Sequence, residues 1–255
     1  TMFLQRLKEY AEQQDDLPAI LYNEVTVRYL VELDGRGRPL GGGIIDLSNP
    51  DSRAARYGQE MSMPSVKRTS GVSPQLLCDT APYTLDLARE DKSAKREHSC
   101  HEAYMAMLRD CAQVTREPAV QAVLRFLEDD PVTQLDLPED MDRSGRIAFR
   151  VDGTYPAHLE AVQSYWAERQ TAAGAPVMTC LLCGRRRPAL ASLPTSVKGV
   201  PGAQPSGAAI ISANEDAYES YGLERSRIAP ICVECAEQTT VVLNRLLSED
   251  AHHIR

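Results

Sequence analysis

The chain has 255 residues, 43% of them hydrophobic and 25% charged, with a formal net charge of −8. That length can build one large domain or two small ones around a real core. The negative balance excludes general coating of nucleic acid, which rests on Lys and Arg neutralising many phosphates, and confines any such role to a local basic face. No apolar run is long enough to cross a bilayer and the start has no signal-peptide pattern, so a cytoplasmic setting without membrane partners is expected.

The opening FLQRLKEYAEQQ sets Leu4, Leu7 and Tyr10 or Ala11 on one stripe, the pattern of a short amphipathic helix that Leu17-Pro18 ends. From Glu24 to Asp34 the chain alternates β-branched and aromatic residues. Gly35-Arg36-Gly37 then supplies a turn and GGGIIDL resumes strand character, predicting a β-hairpin. Residues 48 to 74 read as an irregular polar loop, a feature more often functional than idle inside a compact domain. Three helices are expected next, near Pro74–Ala88, Lys92–Val114 and Pro118–Leu127. The stretch from Glu128 to Asp142 is strongly acidic and reads as a linker. Beyond it RIAFRVDG predicts a strand, AHLEAVQSYWAERQ a helix carrying the single tryptophan Trp166, and VVLNRLL the start of a final apolar helix.

Two Cys-x-x-Cys pairs, Cys180/Cys183 and Cys232/Cys235, bracket a run of Gly, Pro, Ser and Asn. A two-residue gap lets both thiolates converge on one tetrahedral ion, with Zn–S near ~2.3 Å, and four sulfurs leave no open coordination position for catalysis. The pattern points to structural Zn2+ clasping the base of a long excursion, with free or paired thiols as the alternative. Cys78, Cys100 and Cys111 lie in helical-looking sequence and read as buried free thiols.

No Gly-x-Ser-x-Gly elbow, metalloprotease helix motif or Walker loop is present, so no enzyme chemistry is visible. His98 and His101 stand at i, i+3 spacing, which suits a metal but fits a solvated helix face better. Two polar stretches remain. Val66-Lys67-Arg68-Thr69-Ser70-Gly71 offers two cations, two hydroxyls and a glycine, either a phosphate clamp or a plain loop whose Ser70 or Ser73 caps the helix expected at Pro74. From Lys198 to Gly222, Gly199, Gly202 and Gly207 allow close backbone approach, and Gln204, Ser206, Ser212, Asn214 and Ser220 bring uncharged donors and acceptors able to read base edges. The other reading is a turn feeding a strand AAIIS and a helix EDAYESYG. The expected architecture is α+β: mixed helices, a short antiparallel sheet and a zinc-ribbon-like four-cysteine insertion. Residues 1–142 form a first part and 143–255 a second.

Several segments together resemble one family: LQRLKEYAEQ, VRYLVELD, PSVKRTSG, EPAVQAVLRFLE, and above all KGVPGAQPSGAAIISANEDAYESYG followed by LNRLL. They are similar to the large subunit of type I-C CRISPR interference complexes (Cascade), of the Csd group. The resemblance implies a non-catalytic subunit that recognises the short PAM duplex beside a target, aids DNA opening and docks a helicase–nuclease, with the other Cascade subunits and the crRNA as partners. It also implies that a C-terminal helical bundle of the family lies outside this chain. Protein would read the PAM and base pairing the rest, as in RNA-guided systems generally. On this basis Lys67, Arg68, Thr69 and Ser70 become candidate phosphate contacts, Gln204, Ser206 and Asn214 candidate groove contacts or strand wedges, and Lys198 a further candidate nucleic-acid contact. In the family the positions matching Cys183, Cys232 and Cys235 often hold other residues, which implies that zinc stabilises this branch without being essential to DNA reading. The competing expectation is a zinc-stabilised structural adaptor, its Arg185 to Arg187 meeting an acidic protein surface or the RNA guide without reading DNA.

Overall fold

A computed structural model of the chain describes residues 2–14, 16–53, 55–65, 68, 71–89, 93–170, 175–200, 202–204, 207–213 and 215–248. Contacts gather into two compact units, residues 22–166 (the sheet unit) and residues 1–21 with 167–255 (the cysteine unit).

In the sheet unit, β1 (Tyr22–Leu33) is the strand the others assemble on. Its first half pairs antiparallel with β3 (Gln59–Pro64), Val27 facing Gln59, and its second half with β2 (Pro39–Asp46), Leu30 facing Ile45. The expected hairpin is therefore present. β5 (Arg146–Val151) lies parallel to β1, Val31 beside Phe149, and β4 (Cys78–Thr80) pairs antiparallel with β5. The sheet is thus mixed rather than antiparallel throughout. The long stretch between β1 and β5, holding α3 (Ala94–Thr115) and α4 (Pro118–Glu128), supplies the crossover length that a parallel pair needs.

β1 is wholly buried over Tyr29, Leu30 and Val31, because both sheet faces are covered there and the usual alternation lapses. Tyr104, Met107, Leu108 and Cys111 of α3 and Val120, Val123 and Phe126 of α4 fill the same core. Phe126 meets Phe149 of β5 edge-on, ring centroids 6.4 Å apart. Trp166 on α5 (Glu160–Gln170) is fully enclosed, and the neighbouring Tyr165 donates through its hydroxyl to Asp110 Oδ2 at 2.6 Å.

The helix expected over 74–88 is not formed. Leu77 sits at φ +58, β4 follows at once, and only Ala81–Thr84 (α2) makes a helical turn. Pairing with β5 buries Cys78 and Asp79 and claims the apolar run that suggested a helix. Serine capping at Pro74 falls with it. Within the expected irregular stretch, β3 is an unforeseen strand. The acidic stretch after Glu128 lies inside the sheet unit, with Pro131 and Leu135 buried and the Asp142 N–H donating to Tyr29 Oη at 2.8 Å.

In the cysteine unit, α1 (Met2–Ala11) packs Leu7 and Ala11 on Val242 of α6 (Val233–Ser248), with Leu4, Leu17, Leu243 and Leu246 around them. A two-stranded hairpin, β6 (Val177–Thr179) with β7 (Arg186–Pro188), precedes a long irregular stretch. The strand expected at AAIIS is reduced to one bridge, Val197 with Ala208, and the helix expected at EDAYESYG to a 3-10 turn, Asp216–Tyr218. Among the described residues no helix is long and apolar enough to cross a membrane.

Candidate functional site

Hairpin β6–β7 presents the first cysteine pair on a tight knuckle. The Cys180 N–H donates to the Arg185 carbonyl and the Gly184 N–H to the Cys180 carbonyl, both at 2.9 Å. Gly184 closes this turn at φ +69, a left-handed conformation that suits glycine. The second pair straddles the start of α6, where the Ala236 N–H donates to the Cys232 carbonyl at 3.0 Å. Backbone bonds join the two segments: Leu181 N–H to the Pro230 carbonyl at 2.9 Å and Leu190 N–H to the Ile231 carbonyl at 3.1 Å.

The sulfurs of Cys180, Cys183, Cys232 and Cys235 all lie within 4.8 Å of one another, and Cys183 Sγ stands 4.0 Å from Cys232 Sγ. A tetrahedral ion with Zn–S bonds of about 2.3 Å sets its sulfurs about 3.8 Å apart, so the four thiols fit the donor set of a structural zinc site. The Cys232 N–H points at Cys180 Sγ, 3.5 Å away, the kind of outer contact that orients a thiolate ligand. Hydrogen bonding from Cys235 above all holds the Cys232 thiol down to about 5, while the same bond pushes Cys235 up. Burial is the main cause raising Cys183. Lys8 on α1 brings a positive charge to this quarter: its ammonium is raised chiefly by Glu12, with Cys235 and Cys183 contributing.

Cys180, Cys232 and Cys235 are buried with Ile231 and Ala236, and Leu182, Leu190, Leu193 and Ile211 pack against them. Ile211 belongs to the glycine-rich segment, so that segment rests on the cluster. Its other anchor is Asn244 on α6. The Asn244 amide donates to the Ser196 carbonyl at 3.0 Å, and its Oδ1 accepts the Lys198 N–H at 2.8 Å. Between these anchors Val197 and Ala208 exchange two backbone bonds of 2.8 Å. Gly207 sits there at φ +96, and a Cβ would come within 2.7 Å of Ser196 Cβ and 2.9 Å of the Val197 carbonyl oxygen. Lys198 and Gln204 are exposed; Ser206 and Asn214 lie outside the described residues. Tyr218 and Tyr221, also exposed, follow in the same stretch.

In the KRTSG loop Lys67, Thr69 and Ser70 lie outside the described residues, and Arg68 is described. Its guanidinium pairs with the buried Asp79, donates from Nε to the Ser73 carbonyl at 2.9 Å and lies over the Tyr83 ring, 4.5 Å from its centroid. Asp79 also accepts the Gln75 and Thr80 N–H groups, each at 2.8 Å. Burial raises the Asp79 carboxyl and Arg68 opposes it. Arg68 is therefore engaged with its own fold. His98 and His101 turn to separate partners, Asp86 Oδ2 at 2.7 Å and the Tyr83 carbonyl at 2.9 Å, and do not converge.

Spacing alone identifies the four cysteines. Ile211 and Asn244 escape sequence reasoning, since an isoleucine in a small-residue run and an asparagine in an apolar helix carry no motif. The one local hint is Asn244, a poor helix former inside the leucine-rich LNRLL.

No curated protein matches the chain. The model of the family described as CRISPR-associated protein (Cas_Csd1) matches residues 4–255, and the chain belongs to that family.

Proposed function

We propose that this chain is the non-catalytic large subunit of a crRNA-guided type I-C surveillance complex, acting in the cytoplasm to recognise the PAM duplex beside a target. It would sit with the other Cascade subunits and the crRNA, help open the DNA, and dock the helicase–nuclease. The observation that carries the reading is the glycine-rich segment, held at Ser196 and Lys198 by Asn244 and seated on the cysteine cluster through Ile211, with Gln204 exposed. A polar backbone loop stiffened at both ends loses little entropy on entering a groove. In this reading Gln204, Ser206 and Asn214 contact base edges or wedge the strands, and Lys198 positions a phosphate. Lys67, Thr69 and Ser70 hold the backbone of the duplex, while Arg68 orders the base of their loop.

The four cysteines bind one Zn2+, which supplies a rigid floor for the segment and no chemistry. The test is a fluorescence-anisotropy titration of the guide-loaded complex against duplexes that differ only in the flanking trinucleotide. Affinity that depends on the flank, and loses that dependence when Gln204 and Asn214 become alanine, supports the reading. Affinity indifferent to the flank in the unaltered complex overturns it.

A further inference from the structure

From Arg169 to Asn214 the chain carries five cations (Arg169, Arg185, Arg186, Arg187, Lys198) and no aspartate or glutamate, although the whole chain holds 36 acids against 28 Lys and Arg. Four of those cations fall on the knuckle and the glycine-rich segment. Arg185, Arg186 and Arg187 are all exposed on hairpin β6–β7, and among the described residues none of them forms an ion pair. Among the described residues their one side-chain hydrogen bond is long, Arg186 Nη2 to the Val177 carbonyl at 3.4 Å. Several arginines elsewhere are paired within the fold: Arg68 with Asp79, Arg89 with Glu97, Arg150 with Glu32, Arg109 with Glu128. Among the described residues these three adjacent guanidiniums have no carboxylate partner, and in an acid-free stretch of an acidic protein they concentrate positive charge facing solvent.

We infer that hairpin β6–β7 is a phosphate-backbone contact for the target duplex, a second footing for the DNA that the glycine-rich segment reads. The inference rests on the proposed function for its ligand. Two features favour duplex DNA as the occupant. The Arg185 carbonyl is tied to the Cys180 N–H, so the arginines extend directly from the cluster on which Ile211 of the reading segment also sits. Hairpin and segment are thus parts of one packed body and would meet the same ligand. Arginine presents a planar fork that matches phosphate oxygens bidentately, and such contacts set register without selecting sequence. The charge of the chain elsewhere then repels DNA, so a small basic face orients the duplex as well as holding it.

The experiment compares guide-loaded complexes carrying the unaltered chain, the triple variant Arg185→Ala/Arg186→Ala/Arg187→Ala, and the triple Arg→Lys variant, titrated with target duplex from about 0.05 to 0.3 M salt. Each phosphate contact contributes about 0.9 to the slope of log affinity against log salt. The alanine variant is expected to lose about 2 to 3 from that slope and to weaken binding at least about tenfold, equally for every flanking trinucleotide. The lysine variant, which keeps the charge, should recover most of the slope. Zinc content and retained crRNA are measured in the same preparations and should not change. An unchanged slope in the alanine variant overturns the inference. So does loss of crRNA or of assembly with the slope intact in the complex that remains, which would assign the hairpin to the RNA guide or to a protein partner. If the unaltered complex ignores the flank while the slope still falls, the PAM reading fails and the phosphate contact stands.

Discussion

Replacing Arg68 with alanine separates a structural arginine from a DNA-binding one. The Asp79 side chain is fully buried and that of Arg68 is 34% exposed. Removing one partner of a buried ion pair costs about 3–5 kcal/mol, because the other charge is left without compensation. Water reaching the exposed third of Arg68 reduces this, and the two N–H donors that remain on Asp79 reduce it further, so the expected loss is about 2 kcal/mol. For a chain of this size that is a fall of about 4–8 °C in Tm, read by circular dichroism on the isolated protein. Asp79→Asn leaves Arg68 its contacts with Ser73 and Tyr83 and with solvent, and should cost about 1 kcal/mol. The double variant should recover at least half of the Arg68→Ala loss. The variant also acquires a pH dependence. Burial raises the Asp79 carboxyl in the folded state, and without Arg68 nothing charged opposes it. The folded protein then binds the proton more tightly than the unfolded one, so stability falls as pH rises from the ordinary carboxylate value through the raised folded value, and the deficit is greatest above both. An Arg68→Ala loss below about 0.5 kcal/mol, or a double variant equal to the sum of the singles, would refute the buried-pair argument.

Three further outcomes follow from the geometry. Cys235→Ser, at a position only 1% exposed, should abolish stoichiometric zinc by elemental analysis and, through Ile211, blunt the flank preference in anisotropy titrations while leaving the sheet unit folded. Gly207→Ala sets a Cβ 2.7 Å from Ser196 Cβ at a left-handed φ and should cost about 1–3 kcal/mol, visible as faster amide exchange over residues 196–208. Phe126→Ala removes the ring packed edge-on against Phe149 and should destabilise the sheet unit by about 3–5 kcal/mol in urea denaturation.

How much of this was legible beforehand follows from the range of the interactions involved. The hairpin β1–β2, helices α3 and α4 and strand β5 carry their periodicity locally, and the cysteine spacing is itself a geometric statement about a metal. The run QLLCDTAPY reads as helix because its apolar residues cluster, but Leu77 turns left-handed and Cys78 pairs with Ala148 of a strand that arrives 70 residues later. QEMSMP has little strand character of its own and becomes β3 because β1 offers a free partner. Arg68 reads as a phosphate ligand by type, and its partner Asp79 is identified only by the fold that buries it. Asn244 and Ile211 fix the glycine-rich segment through contacts that no local pattern encodes.

The pairing of α1 with α6 bears on how the chain is made. The sheet unit is contiguous, residues 22–166, and its contacts close as soon as β5 and α5 have left the ribosome. The cysteine unit cannot do likewise: Leu7 and Ala11 wait for Val242, 235 residues after Leu7. At synthesis rates of about 5–20 residues per second, α1 spends roughly 10–50 s with its apolar stripe uncovered. Cys180 and Cys183 likewise emerge well before Cys232 and Cys235, so a half-site exists before the whole one. Nascent α1 is thus open to chaperones or to wrong partners for that interval, and α6 is the element whose arrival closes the helix pair and the four-cysteine cluster together.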